Sequence, residues 1–418
     1  MTDKKCEKEQ TGSFRSLRLS DSILNALKVK EYNVPSPIQE QTIPAVLAGS
    51  DVLAAAQTGT GKTAAYTLPM LQKLSEGRKA GPNKIRALIL VPTRELAAQV
   101  YDSVVNYGRF LELRSTVAYG GIKINPQMIR LSRGVDILVA TPGRLLDLHR
   151  QNAVIFTRLE MLILDEADRM LNLGFKEEIE ELFSLFPVKR QTLMFTATFT
   201  EGIRTLARVI VTEPVEITVE SKELTIEAID QKIYPVDKMR KTELFMNQID
   251  ANSWGKILVF VKTKNRADRL CRKLEAKGFL AAAIHGDKTQ GARTKALAEF
   301  KKDKGSILVA TDLAARGLDI DQLPLVVNFD LPHLKEDYIH RIGRTGRAGR
   351  VGEAVSFVSF EEFDKLKDIE RLIKQLIPRC LVEGFEMDPA LPESLLDTRP
   401  FPPKKPKKTK KPSRRARE

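Results

Sequence analysis

The chain of 418 residues is long enough for two domains of ordinary size with extensions. Its 68 Lys and Arg against 54 Asp and Glu leave a net charge of +14, which favours a polyanionic partner such as nucleic acid or an acidic membrane surface. Three scattered cysteines (Cys6, Cys271, Cys380) are too few for a disulfide framework or a zinc cluster, and no apolar run approaches the roughly 20 residues that cross a bilayer.

The polar start MTDKKCEKEQ lacks a signal peptide's apolar segment, so the expectation is a soluble, cytoplasmic protein in a reducing compartment. Residues 1–13 read as a disordered N-terminus. From Leu17 to Lys28, apolar residues at Leu19, Ile23, Leu24 and Leu27 predict a short amphipathic helix, with Ser20 and Asp21 as capping candidates. A short apolar run at residues 52–56 then leads into AQTGTGKT and a helix reaching about Leu74. Buried-strand runs follow at residues 87–91, 136–140, 161–165 and 192–198, separated by segments of helical periodicity. This alternation makes residues 14–215 an α/β domain, a parallel sheet with helices on both faces.

Over residues 216–230 the apolar rhythm weakens and charge rises, which reads as a linker. The pattern restarts over residues 231–380, with strand runs at 256–262, 281–286, 306–312, 325–330 and 354–359. This second α/β domain has no glycine-rich loop of its own, so it supplies something other than the primary nucleotide site. Residues 381–418 read as a flexible basic tail. Its last 18 residues carry six lysines and three arginines against one glutamate, or +8 of the +14.

The stretch Ala56, Gln57, Thr58, Gly59, Thr60, Gly61, Lys62, Thr63 has the order strand, glycine turn, helix. Gly59 and Gly61 let backbone amides converge, the new helix adds its positive end, Lys62 reaches terminal phosphates and Thr63 offers a hydroxyl to Mg²⁺. Ala56 stands where the general pattern has glycine, and a glycine-rich surface turn is the plainer alternative. In LILDEAD, Asp165 closes a buried strand, where it can hold Mg²⁺ through water, and Glu166 can orient an attacking water; an acidic helix start would look similar. HRIGRTGRAGR places Arg341, Arg344, Arg347 and Arg350 three residues apart among glycines, a spacing suited to phosphate oxygens or to arginine fingers, with a solvated basic face as the alternative. His149, His285, His333 and His340 lack ligand spacing, and no serine or cysteine sits in a nucleophile's setting.

Taken in order, AQTGTGKT, PTREL (residues 92–96), TPGR (141–144), DEAD (165–168), TAT (196–198), ARGLD (315–319) and HRIGRTGR resemble a DEAD-box RNA helicase. The resemblance runs from Phe14 to about Val358; the tail and the segment IPRCLVEGFEMDP (377–389) further resemble the bacterial RhlE-like branch. It implies two tandem RecA-like domains. It also implies that Tyr32 and Gln39 of the Q motif receive adenine, Gln39 by a bidentate amide, and that Asp319 contacts the ribose. Arg344 and Arg347 become the fingers on the γ-phosphate. Arg94, Gly120, Gly121, Thr141 and Arg144 in the first domain and Phe260, Thr311 and Arg316 in the second become RNA-binding positions, although PTREL and TPGR read from residues alone suit a strand end and a helix cap equally well. Asp168, Thr196, Thr198 and His340 become the residues coupling the ATP and RNA sites; Thr196 keeps the hydroxyl of the usual serine.

The function implied is ATP-dependent, RNA-stimulated unwinding of short duplexes or remodelling of RNA–protein complexes, with ATP and Mg²⁺ as cofactors. Its partner is RNA held with little sequence preference, and the protein is a monomer or a weak tail-mediated oligomer. An ATP-locked RNA clamp or annealing factor and a DNA-acting helicase are the alternatives.

Overall fold

In the computed structural model the described residues are 12–56, 59–197, 199–219, 229–302, 305–315, 320, 323–346 and 352–396. Among them, the first half contributes β1 (Val52–Ala55), β2 (Ala87–Leu90), β3 (Ser115–Ala118), β4 (Ile137–Ala140), β5 (Met161–Leu164), β6 (Gln191–Thr196) and β7 (Val215–Thr218). They form one seven-stranded sheet in the order β3-β4-β2-β5-β6-β1-β7. The second half contributes β8 (Ile229–Pro235), β9 (Ile257–Val261), β10 (Ala281–Ile284), β11 (Ile307–Thr311), β12 (Leu325–Asn328) and β13 (Gly352–Val358). These form a six-stranded sheet in the order β10-β11-β9-β12-β13-β8. Every pairing in both sheets is parallel.

The side-chain alternation of a strand explains why the central runs are apolar throughout. In β2, Ala87 and Ile89 join the core under one face of the sheet while Leu88 and Leu90 join the core under the other. In β9, Ile257, Val259 and Val261 face one core and Leu258 and Phe260 the second. Helices cover both faces because a parallel strand can be followed by another only through a crossover.

The amphipathic helix near the start spans Asp21–Val29, with Ile23 and Leu27 buried; Ser20 stands at its N-cap position, but the hydroxyl makes no capping bond. Two boundaries differ from the sequence reading. The linker expected at 216–230 is shorter, because Val215–Thr218 pairs with β1 as an edge strand and Ile229 already pairs with Gly352 in the second sheet. The second domain also extends beyond residue 380. Ile233 donates its N–H to Pro378 O (2.8 Å) and accepts from Cys380 N (2.7 Å). Val382 and Phe385 then pack on the second core, and Leu391 is buried. The apolar contacts of this segment are irregularly spaced, so periodicity does not reveal them. Residues 397–418 of the expected tail lie outside the described residues, as do residues 1–11.

Candidate active site and nucleic-acid interface

Open parallel sheets bind ligands beyond the carboxyl ends of their strands. In the first sheet the motif residues divide along that edge. The loops after β5, β6 and β1, which are neighbours, carry DEAD, TAT and the glycine-rich loop. The loops after β3, β4 and β2, also neighbours, carry Gly120 and Gly121, Thr141 and Arg144, and Arg94.

Gly59 and Gly61 adopt φ of 84° and 93°, a left-handed backbone that opens the loop before the helix Lys62–Ser75. A Cβ on Gly61 would lie 2.4 Å from Gln39 Nε2. Gln39 is buried and already bonded: Nε2 donates to Gly61 O (3.1 Å) and Oε1 accepts from Ser36 N (2.9 Å). Ser36 Oγ adds a bond to Thr60 O (2.7 Å). The Q-motif glutamine therefore braces the phosphate loop as well as facing the cleft, and only its second proton and second lone pair remain for a base. Glu31, where the family's usual residue is glycine, takes φ 58°.

Lys62 is buried, with Nζ donating to Ala56 O (2.8 Å) across the loop. Asp165 is buried at the end of β5, with Oδ2 accepting from the Tyr66 hydroxyl (2.8 Å) and Oδ1 from Glu166 N (2.9 Å). Burial raises the Asp165 pKa above its ordinary value although Lys62 opposes it. For Glu166 burial pulls upward too, but Arg169, Lys62 and Arg344 outweigh it and hold the carboxyl below its usual range. Arg169 Nη1 reaches Glu166 Oε2 at 2.7 Å. Two adjacent acids are thus split, one destabilised as an anion and one kept ionised.

A cavity of about 570 Å³ opens over this set, lined by Tyr32, Gln39, Gly59, Lys62, Asp165 and Glu166, and by Arg344 from the second domain. Tyr32 lies against Tyr107, their ring centroids 6.4 Å apart. Of the remaining arginines in the motif, Arg341 is structural rather than catalytic. It is 2% exposed, bidentate to Asp312 (2.6 and 2.7 Å), bonded to Asn328 and Asp330, and stacked over Phe260. Gln57, Thr58, Thr198, Arg316, Asp319 and Arg347 lie outside the described residues. Thr196 is fully buried and His340 exposed near the end of the helix Lys335–Ile342.

On the other half of the edge, the Arg94 guanidinium fills the space beside Gly121, where a Cβ would stand 1.9 Å from Nη1. Gly121 has φ 81°, so glycine is required twice over. Arg144 donates Nη2 to Ile122 O (3.1 Å), while its buried Nε, 3.8 Å from Asp147 Oδ2, and its Nη1 have no hydrogen-bond partner among the described residues. Thr141 begins the helix Pro142–Arg150 without a side-chain cap bond, so a capping role does not account for its hydroxyl. In the second domain Thr311 is half-buried at the end of β11. Phe260 is a correction: it is 3% exposed in the second core under Arg341, so its side chain cannot meet a strand.

Several residues that the sequence reading passed over belong to the site. Tyr66 and Arg169 orient the two DEAD carboxylates; Arg169 stands three residues after Glu166, the helical ion-pair spacing that could have revealed it. Arg293 of the helix Gln290–Lys302 crosses to the first domain, Nη2 standing 3.0 Å from Glu95 Oε1 with side chains 10% and 8% exposed.

Comparison with known proteins agrees with this geometry. The DEAD/DEAH box helicase family matches residues 36–206, and the helicase conserved C-terminal domain matches residues 240–349. The DEAD-box ATP-dependent RNA helicase CshA of Bacillus cereus is 42% identical over 379 residues, covering 91% of this chain and 71% of the relative. Among solved structures, the chain is similar to Saccharomyces cerevisiae Dbp5 bound to RNA and ADP BeF3, with a TM-score of 0.79, 31% identity and coverage of 89% of this chain and 96% of that one. A variant of that yeast protein bound to Nup159, Gle1, IP6 and ADP gives a TM-score of 0.61 at 30% identity, over 88% of this chain and 96% of that one. With two parallel-sheet domains of this architecture, one glycine-rich phosphate loop and a DEAD sequence closing its sheet, the chain belongs to the family of DEAD-box ATP-dependent RNA helicases.

Proposed function

We propose that ATP hydrolysis here requires closure of the second domain over the first, and that a strand of RNA lying across both domains favours closure. The observation that carries this reading is Arg344, which lines the same cleft as Lys62, Asp165 and Glu166 although it belongs to the second domain, just after the helix Lys335–Ile342. A guanidinium beside developing phosphoryl charge stabilises the transition state far more than bound substrate. Lys62 leaves Ala56 O for the phosphates, Glu166 holds the attacking water with one carboxylate oxygen while Arg169 holds the other, and Gln39 and Tyr32 receive the adenine.

The donor set suits Mg²⁺, a cation that takes oxygen ligands: Thr63 and Asp165 would hold it, largely through water, and burial of the Asp165 carboxyl leaves it short of positive charge. Bound there, Mg²⁺ would neutralise charge on the phosphates. Arg94, Arg144, Thr141, Thr311 and the Gly120–Gly121 turn would grip RNA by backbone and 2′-hydroxyl contacts, so sequence preference is low. A strand bent in this grip no longer pairs with its complement, and short duplexes open locally. Higher similarity to the yeast protein bound to RNA and ADP BeF3 than to the form bound to ADP with protein partners supports a closed arrangement.

Residues 14–218 act as the nucleotide-holding body and residues 229–396 as the finger-bearing one. The tail adds a salt-sensitive tether to RNA in a monomer or a weak tail-mediated oligomer, and with the 377–389 segment it supports placement in the RhlE-like bacterial branch. The test is Arg344→Ala: ATP affinity is retained and RNA-stimulated turnover is lost. Weakened ATP binding with normal turnover per bound ATP would refute the finger role. Strand displacement with and without ATP separates unwinding from an RNA clamp.

A further inference from the structure

A cavity of about 600 Å³ that shares no lining residue with the cleft lies between the end of β8 and the segment that wraps the second sheet after residue 375. Its wall is apolar, with Leu376, Val382, Phe385, Met387 and Leu391 contributing, and Leu376 and Leu381 stand 44% and 82% exposed at its mouth. The groove is a built one. Arg379 fastens its outer lip by donating to Leu391 O (3.1 Å) and Ser394 Oγ (3.0 Å), and Arg240 stacks 4.4 Å over the Phe385 ring.

Three acids line this apolar wall, Glu370, Glu386 and Glu393. Glu370 is 2% exposed; its Oε1 accepts from Ile377 N (3.1 Å), while Oε2 has no hydrogen-bond partner among the described residues. A buried carboxylate oxygen without a donor is costly, and it belongs to a residue of the cavity wall, set just beneath the accessible surface. The groove therefore asks for a ligand with apolar bulk and positive charge side by side.

The chain itself carries such a segment immediately downstream. Residues 400–406 read PFPPKKP, an aromatic and four prolines around paired lysines. Ser394 lines the groove, and the seven residues from there to Phe401 span up to about 24 Å when extended, ample for return to the same cavity. Proline-rich segments lose little entropy on docking against aromatic walls. We propose that Pro400–Pro406 docks in this groove, Phe401 and the prolines on the apolar wall and Lys404 and Lys405 against the glutamates, and that RNA competes for those lysines. The tail thus has two exclusive positions, parked on the second domain or released to nucleic acid. Only the competition rests on the tail's proposed affinity for RNA.

Zero-length carbodiimide crosslinking of the full chain, mapped by mass spectrometry, tests this. Amide links from Lys404 or Lys405 to Glu386 or Glu393 are expected, with yield independent of protein concentration. Phe401→Ser, outside every packed element described, should lower that yield at least five-fold while leaving both lysines and basal ATPase intact. Absence of the links, or yields unchanged by Phe401→Ser, would overturn docking. Links found only between isotopically distinct copies would assign the groove to a second chain and overturn docking in cis. Added oligoribonucleotide should reduce the yield. An unchanged yield together with measured RNA binding by the tail overturns the competition alone, whereas a tail that fails to bind RNA leaves the RNA-free crosslinks as they were.

Discussion

Replacing Arg293 by Met removes the charged group that crosses from the second domain to Glu95 of the first while keeping most of the volume. Breaking a buried pair by deleting one partner costs roughly 3–5 kcal/mol, because the other charge stays buried and unpaired. Both side chains here are about nine-tenths buried, yet Glu95 Oε1 and Arg293 Nε lack hydrogen-bond geometry, so the lower end applies, about 3 kcal/mol. The loss falls on the closed state alone, since opening the cleft returns Glu95 to water. A penalty of about 3 kcal/mol shifts the closing equilibrium about a hundred-fold. The assay is fluorescence transfer between labels on the two domains, titrated with ATP analogue and RNA, beside RNA-stimulated turnover. ADP affinity, set within the first domain, should not change. The exchanged pair Glu95→Arg with Arg293→Glu should recover part of the closure. Unaltered closure in Arg293→Met, or equal damage in the single and exchanged variants, would refute a closure-specific role for the pair.

Gly121→Ala drives a methyl group into the seat of the Arg94 guanidinium and strains the backbone, so RNA affinity should fall at least about ten-fold, near 1.4 kcal/mol, with ADP affinity intact; equal loss of both would indicate misfolding instead. Glu31→Gly relieves a left-handed residue worth roughly 1–2 kcal/mol against a smaller entropic loss, raising Tm by a few degrees in a thermal melt; an unchanged or lower Tm contradicts the strain. Arg169→Met removes the strongest opponent of the burial that pushes the Glu166 pKa upward. The folded-state pKa should then rise, so the acidic limb of the ATPase profile moves to higher pH; a limb that stays in place excludes Glu166 as the group titrating there.

The legible part of this fold was its interior. β1, β2, β4, β5 and β9, buried on both faces, are continuous apolar runs, β11 and β12 are so up to one polar end residue, and β6 carries the apolar centre LMF between polar ends; these announce themselves. β3, β7 and β8 do not: each lies at a sheet edge, where at least one face or margin meets water, and VEIT at residues 215–218 exposes three of its four side chains. That is why charge rising after Val215 passed for a linker. The site was legible where chemistry constrains residue type and spacing together, as in GTGKT and DEAD. It was not legible where one residue type serves two ends. Phe260 and Arg341 sit within the family's motifs yet bury each other, and only packing separates such scaffold positions from those facing ligand. Gln39 was assigned to a base, and nothing in its spacing showed that half of its amide is spent on the phosphate loop.

The bond between Arg341 and Asp312 has a mechanical meaning. Asp312 directly follows Thr311, which is proposed to hold the RNA strand, and Arg341 stands three residues ahead of Arg344, which lines the nucleotide cavity. Two parallel N–H to carboxylate contacts of 2.6 and 2.7 Å resist shear as well as stretching. A tug on the polynucleotide and a displacement of the triphosphate would therefore be read at opposite ends of one stiff strut, which needs no chain of side chains between them.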